Sequence, residues 1–177
     1  MYDYKYVLQI TQYYPHLRRH HMHIIYVGDS RNVYKRIRNN HCSGNVEASA
    51  LRRYVAEALG FQIRRERRPI GSTRVRIDLP NPRQGEQAVT DYIRQGKWQI
   101  LLLDHYDLAH DFQWYVIEKL NPFLNRECKN FQTQKSELYG NLIERLTKSS
   151  FINYRSLTKT SSKPGIYVLY HEQKPTN

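Results

Sequence analysis

A short apolar run that stops at a glycine and continues into a basic helix is the feature that most constrains this chain. Residues 24–27 are β-branched or aromatic, which is typical of a strand, and the run ends at Gly28. An aspartate and a serine follow, and either can cap a helix in which Val33 and Ile37 are four positions apart. The pattern predicts a strand that turns sharply into a helix.

Tyr26 and Arg36 are the polar side chains that this strand–helix unit brings together. Tyr26 ends the strand, and Arg36 lies ten residues further along, on the helix. Both can therefore face one phosphate-sized space. An ordinary strand-to-helix connection with a solvated basic face would show the same pattern, so other parts of the sequence must decide between the two interpretations.

The net charge of +12 indicates a polyanionic partner, for which nucleic acid is the usual candidate. A membrane surface is the rival, but no basic stretch carries the large apolar face of an interfacial helix. No apolar run approaches the roughly 18 residues of a membrane span, and no signal peptide opens the chain. Cys42 and Cys128 lack the spacing of a zinc site or a disulfide framework. We therefore expect free thiols and a cytoplasmic protein without membrane contact.

Arginines occur in two clusters, one before the Tyr26 strand and one between residues 64 and 76, where Pro69 and Gly71 interrupt it. The planar guanidinium suits phosphates and guanine edges, so we expect both clusters to bind double-stranded DNA and the second to read bases in the major groove. A solvated loop is the alternative for the second cluster. The predicted DNA-binding residues are Arg18, Arg19, Arg38, Arg64, Arg65, Arg67, Arg68, Arg74 and Arg76.

Strand and helix patterns alternate irregularly along the chain, which predicts an α+β domain with a small, mainly antiparallel sheet flanked by helices. The expected strands cover residues 4–10, 23–27, 73–77, 99–103 and 166–169. The expected helices cover residues 31–40, 46–59, 86–94 and 108–120, with another marked by Leu138, Leu142 and Leu146.

Three motifs together resemble the signature of the GIY-YIG nuclease superfamily. The matching residues are Tyr26-Val27-Gly28 with Arg36 for the second triplet, Gly165-Ile166-Tyr167 for the first triplet, and Ile117, Pro122 and Asn125 at the end of the metal-site helix. The resemblance implies three central antiparallel strands with helices on both sides. It also implies structural roles for Gly28, Gly165, Pro122 and Asn125.

The resemblance implies a divalent-metal-dependent endonuclease that uses Mg²⁺ or Mn²⁺. Phosphodiester hydrolysis needs an activated water and neutralisation of the charge that develops on the phosphate. In the family two motif tyrosines, the helix arginine and a glutamate supply these functions, so Tyr26 and Arg36 take catalytic roles here. A phenol held close to cations loses its proton more easily. The family histidine position is Asn40 in this chain, but His41 follows it and is a further catalytic candidate, a surface histidine being the alternative.

The metal-ligand position departs from the family pattern. The family glutamate stands four residues before the helix isoleucine, where this chain has Gln113. A neutral amide is a poor ligand for Mg²⁺, and Asp111 and Glu118 lie on other faces of the helix. Either the residue is an engineered Glu-to-Gln change or the chain is a naturally silent relative. We favour the first explanation, because the change is isosteric and the motifs around it are intact.

The order of the two triplets also departs from the family, since the first triplet comes after the second. Tyr6 stands in the expected order but lacks the glycine. Circular permutation, a swapped strand or a truncated second copy would each explain the order. We favour permutation, with Tyr167 rather than Tyr6 in the site. Residues 1–130 then form the catalytic core, and residues 131–177 supply a helix, a linker and the strand that completes the same domain.

The leading functional interpretation is a type II restriction-type DNA endonuclease, inactive here because of Gln113. A catalytically silent nucleic-acid-binding module is the alternative from another class, and a repair or mobile-element nuclease shares the same core. An RNA-directed function is not excluded by charge alone, although no RNA-binding signature is present. Cutting both strands with one site per chain favours a homodimer.

Overall fold

The computed structural model describes residues 22–126, 135–157 and 162–176. The strands are β1 (His23–Ser30), β2 (Ile63–Arg67), β3 (Thr73–Ile77), β4 (Lys97–Leu102), β5 (Ile152–Asn153) and β6 (Gly165–His171). The helices are α1 (Val33–Lys35), which continues as a π-helix (Arg36–His41), then α2 (Ala50–Ala58), α3 (Pro82–Gln95), α4 (Tyr106–Leu120) and α5 (Ser136–Lys148), with a 3₁₀ turn at Tyr154–Ser156. The predicted α+β class is confirmed.

The C-terminal strand β6 lies inside the main sheet, whose strand order is β1-β6-β4-β5 with every pair antiparallel. All seven residues of β6 are buried, as expected for a short continuous apolar run. The strand predicted at residues 99–103 is β4, which is also an inner strand. The sheet has one strand more than expected, because the two-residue β5 pairs with the outer side of β4.

Helices cover both faces of this sheet and create two hydrophobic cores. Successive strand residues point to opposite faces, so Leu169 joins the core under α1, α2 and α3, and Val168 joins the core under α4 and α5. Trp98 is fully buried in the first core, and Phe112 is fully buried in the second. Among the residues that the structure describes, no helix is both long and apolar enough to cross a membrane.

Capping side chains set where the helices begin. The Oγ atom of Ser49 accepts from the Arg52 amide, so α2 begins at Ala50 rather than at the predicted residue 46. Asn81 caps α3 and Pro82 occupies its first turn, so this helix begins four residues before the predicted start at Glu86. The end of α4 at Leu120 is as predicted.

The chain segment after α4 covers the outer edge of β1. The amides of residues 123 and 124 donate to the carbonyls of Ile24 and Ile25. The Asn125 carboxamide then accepts from the Val27 amide at 2.8 Å and donates to the Val27 carbonyl at 3.0 Å. The side chain thereby supplies hydrogen-bond partners to the backbone of an edge strand, as a neighbouring strand would, which supports the structural role expected for Asn125.

Strands β2 and β3 form a separate antiparallel hairpin, here called the arginine ribbon (residues 63–77). Strand β3 has the bounds predicted for it, whereas β2 was not predicted because four of its five residues are charged. Val75 and Ile77 anchor the ribbon in the first core. A Cβ on Gly85 of α3 would clash with Ile77, so this glycine allows the helix to pack on the ribbon.

Candidate active site

Tyr167 lies against Gly28 in the register between β6 and β1. A Cβ atom at position 28 would lie 2.5 Å from the Tyr167 hydroxyl oxygen. The glycine of the Tyr26-Val27-Gly28 motif therefore leaves room for the tyrosine of the Gly165-Ile166-Tyr167 motif to lie across β1. Tyr6, the other candidate for this position, lies outside the described residues.

A π-helix brings His41 to the same place. The Cys42 amide donates to the Ile37 carbonyl at 2.8 Å, which is an i→i+5 bond. This wider turn places His41 beside Arg36, although the sequence offset between them is one residue longer than in the family. His41 is fully buried, and its Nε2 atom shares a 2.7 Å hydrogen bond with the Tyr167 hydroxyl. The alternative of a surface histidine is therefore wrong.

Ser49 continues this hydrogen-bonded chain on the far side of His41. Its hydroxyl shares a 2.7 Å hydrogen bond with His41 Nδ1 while accepting from the Arg52 amide. The Arg52 guanidinium donates to the His41 carbonyl at 2.8 Å. Sequence reasoning missed both residues. The signal available was a serine at a helix start, which indicates a cap but not a histidine partner.

Arg52 is a fully buried cation, and its surroundings neutralise it. Its Nη2 atom lies 2.6 Å from the Glu86 carboxylate, and Nη1 donates to Thr90 Oγ1 at 2.9 Å. A buried charge is stable only when it is paired and hydrogen-bonded. The network therefore ties the backbone of His41 to α3 and fixes the position of the imidazole.

Tyr26 and Arg36 form the more accessible part of the cluster, since both are half-buried. The ring centroids of Tyr26 and His41 are 6.3 Å apart in an edge-on arrangement. The Arg36 Nη1 atom donates to the Ala48 carbonyl at 3.2 Å, and the guanidinium lies close enough to the Tyr167 hydroxyl to interact with it electrostatically. The structure therefore brings together four of the predicted catalytic residues.

Burial keeps the inner pair uncharged. Burial raises the pKa of Tyr167 well above its usual value, the neighbouring Tyr26 adds to this effect, and Arg36 opposes it. Arg36 therefore eases the loss of the phenol proton, as expected near a cation, but burial outweighs this effect at Tyr167. Burial also lowers the pKa of His41 well below its usual value, reinforced by the Arg36 and Arg52 charges. A neutral imidazole donates one hydrogen bond and accepts one, which suits its position between Ser49 and Tyr167.

The predicted metal position does not fit a divalent cation. Gln113 lies on the buried side of α4, which packs on the sheet face opposite Tyr167, and its Oε1 atom has no hydrogen-bond partner within the described residues. Those residues also contain no group of three or more His, Cys, Asp or Glu side chains that could hold a metal. Mg²⁺ is normally held by at least one carboxylate, and a neutral amide does not supply it.

Asp29 is the carboxylate next to Gly28, but its partners already satisfy it. Its Oδ2 atom lies 3.0 Å from His110 Nδ1, and the Tyr106 hydroxyl interacts with the carboxylate. Sequence reasoning did not identify this cluster, because its members are separated by about 80 residues in the chain. Asp29 therefore connects β1 to α4 and does not take the place of the missing glutamate.

The predicted DNA-binding arginines differ in their surroundings. Arg64 forms ion pairs with Glu66 and Asp78, and Arg68 forms one with Glu47. Arg18 and Arg19 lie outside the described residues, and Arg38 is exposed on the π-helix. The ribbon arginines without an ion pair in the described part of the chain are Arg65, Arg67, Arg74 and Arg76.

Gly165 lies where β6 packs against β4. A Cβ atom there would overlap the Leu101 carbonyl oxygen of β4. Gly165 is also buried at the first position of an inner strand. The glycine therefore allows β6 to approach β4.

A comparison with known protein families finds a match. A family model described as the GIY-YIG catalytic domain matches residues 4–162, which include β1, the helix that carries Arg36, and α4. The matched range ends before Gly165, so β6 is outside it. No curated protein and no solved structure matches the chain.

Proposed function

Because this chain belongs to the GIY-YIG catalytic domain family, we propose that it is a DNA endonuclease domain of the restriction type whose reaction is blocked at Gln113. The family is one of nucleases, so its substrate is nucleic acid. The observation that carries the proposal is the hydrogen bond between His41 and Tyr167 beside Arg36. The net charge of +12 and the arginine ribbon favour duplex DNA as the partner.

In this proposal Arg36 binds the phosphate that is to be cleaved. A guanidinium neutralises the negative charge that develops on the phosphoryl oxygens in the transition state. The hydrogen bond from Arg36 to the Ala48 carbonyl fixes the direction of the guanidinium, so the side chain loses less conformational freedom when DNA binds. Tyr26, half-buried beside it, orients the attacking water.

Tyr167 and His41 act as positioning residues. Both are almost completely buried, so they reach the substrate through Arg36 and Tyr26 rather than by direct contact. The Tyr167 hydroxyl lies beside the Arg36 guanidinium, and His41 hydrogen-bonds to that hydroxyl. Ser49 bonds to the other ring nitrogen, so its hydroxyl helps to determine which nitrogen of the imidazole carries the proton.

The position of β6 supports a single catalytic domain with a permuted strand. This strand lies between β1 and β4. Without residues 131–177, the core formed by residues 1–130 would therefore lack one of the two inner strands of the sheet. Hairpin tips tolerate chain ends well, which makes permutation compatible with the fold. We infer from this that one chain supplies one site, and that two chains cooperate to cut both DNA strands.

Plasmid cleavage tests the proposal. Supercoiled DNA is incubated with Mg²⁺ or Mn²⁺ and with the chain, the Gln113→Glu variant, or Gln113→Glu combined with Arg36→Ala. We expect nicked or linear DNA with Gln113→Glu alone, since the carboxylate restores the oxygen ligand that these cations prefer. Absence of cleavage by Gln113→Glu, in a preparation that still binds DNA, would contradict a reaction that is blocked at Gln113 alone.

A catalytically silent DNA-binding module is the second candidate, and Gln113 is the observation that favours it. Under this alternative Gln113→Glu binds DNA as the original chain does and cleaves nothing. Both candidates predict binding that weakens steeply with salt, because several arginines displace counterions. A gel-shift titration at low and moderate salt measures this dependence, and salt-independent affinity would contradict both.

A further inference from the structure

The tip of the arginine ribbon carries an apolar side chain in full contact with solvent. Ile70 is 84% exposed, and the only other exposed large hydrophobic residue in the described ranges is Leu138, at 45%. A single exposed aliphatic residue needs no explanation by itself. The rigidity, charge and position of the surrounding ribbon give this one its significance.

The turn that presents Ile70 is rigid. The Gly71 amide donates to the Arg68 carbonyl at 2.9 Å, and the Arg68 amide donates to the Ser72 carbonyl at 2.7 Å. Pro69 restricts one backbone angle, and Gly71 has a φ of 83°, in the left-handed region that a glycine adopts without strain. Ile70 is thus held at the end of a closed hairpin turn, and little conformational freedom remains to be lost on binding.

The sides of the ribbon are strongly basic. Its exposed or half-buried arginines without an ion pair in the described part of the chain are Arg65, Arg67, Arg74 and Arg76. A ligand that matches this surface has anionic groups along both sides and an apolar interior that the tip can enter. Duplex DNA has both, because its phosphates surround a stack of bases.

One short loop connects the ribbon to the candidate active site. The Arg68 guanidinium lies 2.7 Å from the Glu47 carboxylate. The carbonyl of the next residue, Ala48, accepts a hydrogen bond from Arg36, and the hydroxyl of Ser49 bonds to His41. Two residues of chain span at most about 7 Å. DNA held by the ribbon therefore lies beside the phosphate-binding arginine.

We propose that Ile70 is a wedge that enters the base stack of duplex DNA and unstacks one step next to the phosphate held at Arg36. Apolar side chains inserted between base pairs unstack and kink the duplex in this way. The proposal rests on duplex DNA as the partner, as argued under Proposed function, but not on cleavage. It can therefore be tested on the chain as it stands, with Gln113 in place.

Permanganate oxidation of thymines in a linear plasmid fragment measures unstacking without knowledge of the binding sequence. The chain is compared with Ile70→Ser, with Ile70→Met as the conservative variant, and with Leu138→Ser as a matched control on α5. A gel shift sets each protein to the same occupancy of the DNA. We expect oxidation to rise several-fold with the chain, with Ile70→Met and with Leu138→Ser, and to stay at the level of bare DNA with Ile70→Ser.

The outcomes separate this proposal from the proposed function. Oxidation that stays at the bare-DNA level while the chain is bound, or that remains raised with Ile70→Ser, would overturn the wedge and leave the endonuclease proposal intact. Failure of the chain to bind duplex DNA at low salt would overturn both.

Discussion

His41 and Tyr167 are hydrogen-bonded at 2.7 Å although 126 positions separate them in the chain. The imidazole comes from the end of a π-helix that follows β1, and the phenol comes from the middle of the C-terminal strand. The bond forms because β6 pairs with β1 and because the π-helix turns His41 inward. Two departures from the family sequence pattern, the displaced histidine and the displaced first triplet, therefore meet in one contact.

We expect His41 to make the folded state less stable in acid. Burial lowers its pKa well below 6.5 in the folded state, so the unfolded chain binds a proton that the folded chain does not. Stability is therefore complete above pH 6.5 and falls as the pH drops below it, by about 1 kcal/mol between pH 6.5 and 5.5 from this residue. Urea unfolding at pH 7.5, 6.5 and 5.5 measures the change.

The variant His41→Gln should remove this share of the acid sensitivity. His23 and His171 also have lowered pKa values, so part of the slope will remain. His105→Gln is the matched control, because His105 is exposed at the start of α4. An unchanged slope in His41→Gln would show that the imidazole is already protonated in the folded state.

Replacement of Gly28 by alanine should disturb the site through Tyr167. The new methyl group would lie 2.5 Å from the phenol oxygen, so the Tyr167 ring or β1 must shift. Overpacking of this kind costs about 1–3 kcal/mol. Urea unfolding measures the loss of stability, and tyrosine side-chain NMR shows whether the Tyr167 environment changes.

Gly140→Ala is the control for that substitution. Gly140 lies within α5, and nothing lies within 4 Å of the position that a Cβ atom would take. Alanine should stabilise this helix by roughly 0.5–1 kcal/mol. If Gly28→Ala were as stable as Gly140→Ala, the close approach of Tyr167 to β1 would not be a tight constraint.

The sequence predicted the elements better than it predicted their contacts. Apolar periodicity located α4 and β6, because each buries one continuous pattern. Strand β2 was not predicted, since its charged residues form a ribbon outside the main sheet and only Val75 and Ile77 of its partner strand reach the core. Apolar periodicity reflects the burial of one face of an element, so a strand with few buried side chains shows little periodicity.

The roles of Ser49 and Arg52 could not be predicted from sequence, because they depend on a change of helix type. An α-helix would place Asn40, not His41, on the side of Arg36. The π-helix turns the imidazole inward, where Ser49 bonds to Nδ1 and Tyr167 bonds to Nε2, while the Arg52 guanidinium donates to the His41 carbonyl. No local signal in residues 36–41 indicates an i→i+5 turn.

We expect Asn125→Ala to weaken the outer edge of β1. The substitution removes both hydrogen bonds to Val27 and leaves its amide and carbonyl without these partners, at a cost of about 1–3 kcal/mol. Amide hydrogen exchange at Val27 should quicken more than exchange at Val168. Asn121→Gly is the control, since Asn121 has a φ of 43° and glycine tolerates that angle well. Equal protection of Val27 in both variants would contradict the edge role of Asn125.

Tyr167, rather than Tyr6, should be the first-triplet tyrosine in function. Both Tyr167→Phe and Tyr6→Phe are made in the Gln113→Glu background and compared in single-turnover plasmid cleavage. Loss of the Tyr167 hydroxyl removes the hydrogen-bond partner of His41 beside Arg36, so cleavage should slow about a hundredfold, which corresponds to roughly 3 kcal/mol. Tyr6→Phe should cleave at nearly the parent rate. Urea unfolding of both variants separates a loss of positioning from a loss of folding. Slow cleavage by Tyr6→Phe together with normal cleavage by Tyr167→Phe would assign the role to the N-terminal tyrosine and leave β6 with a purely structural function.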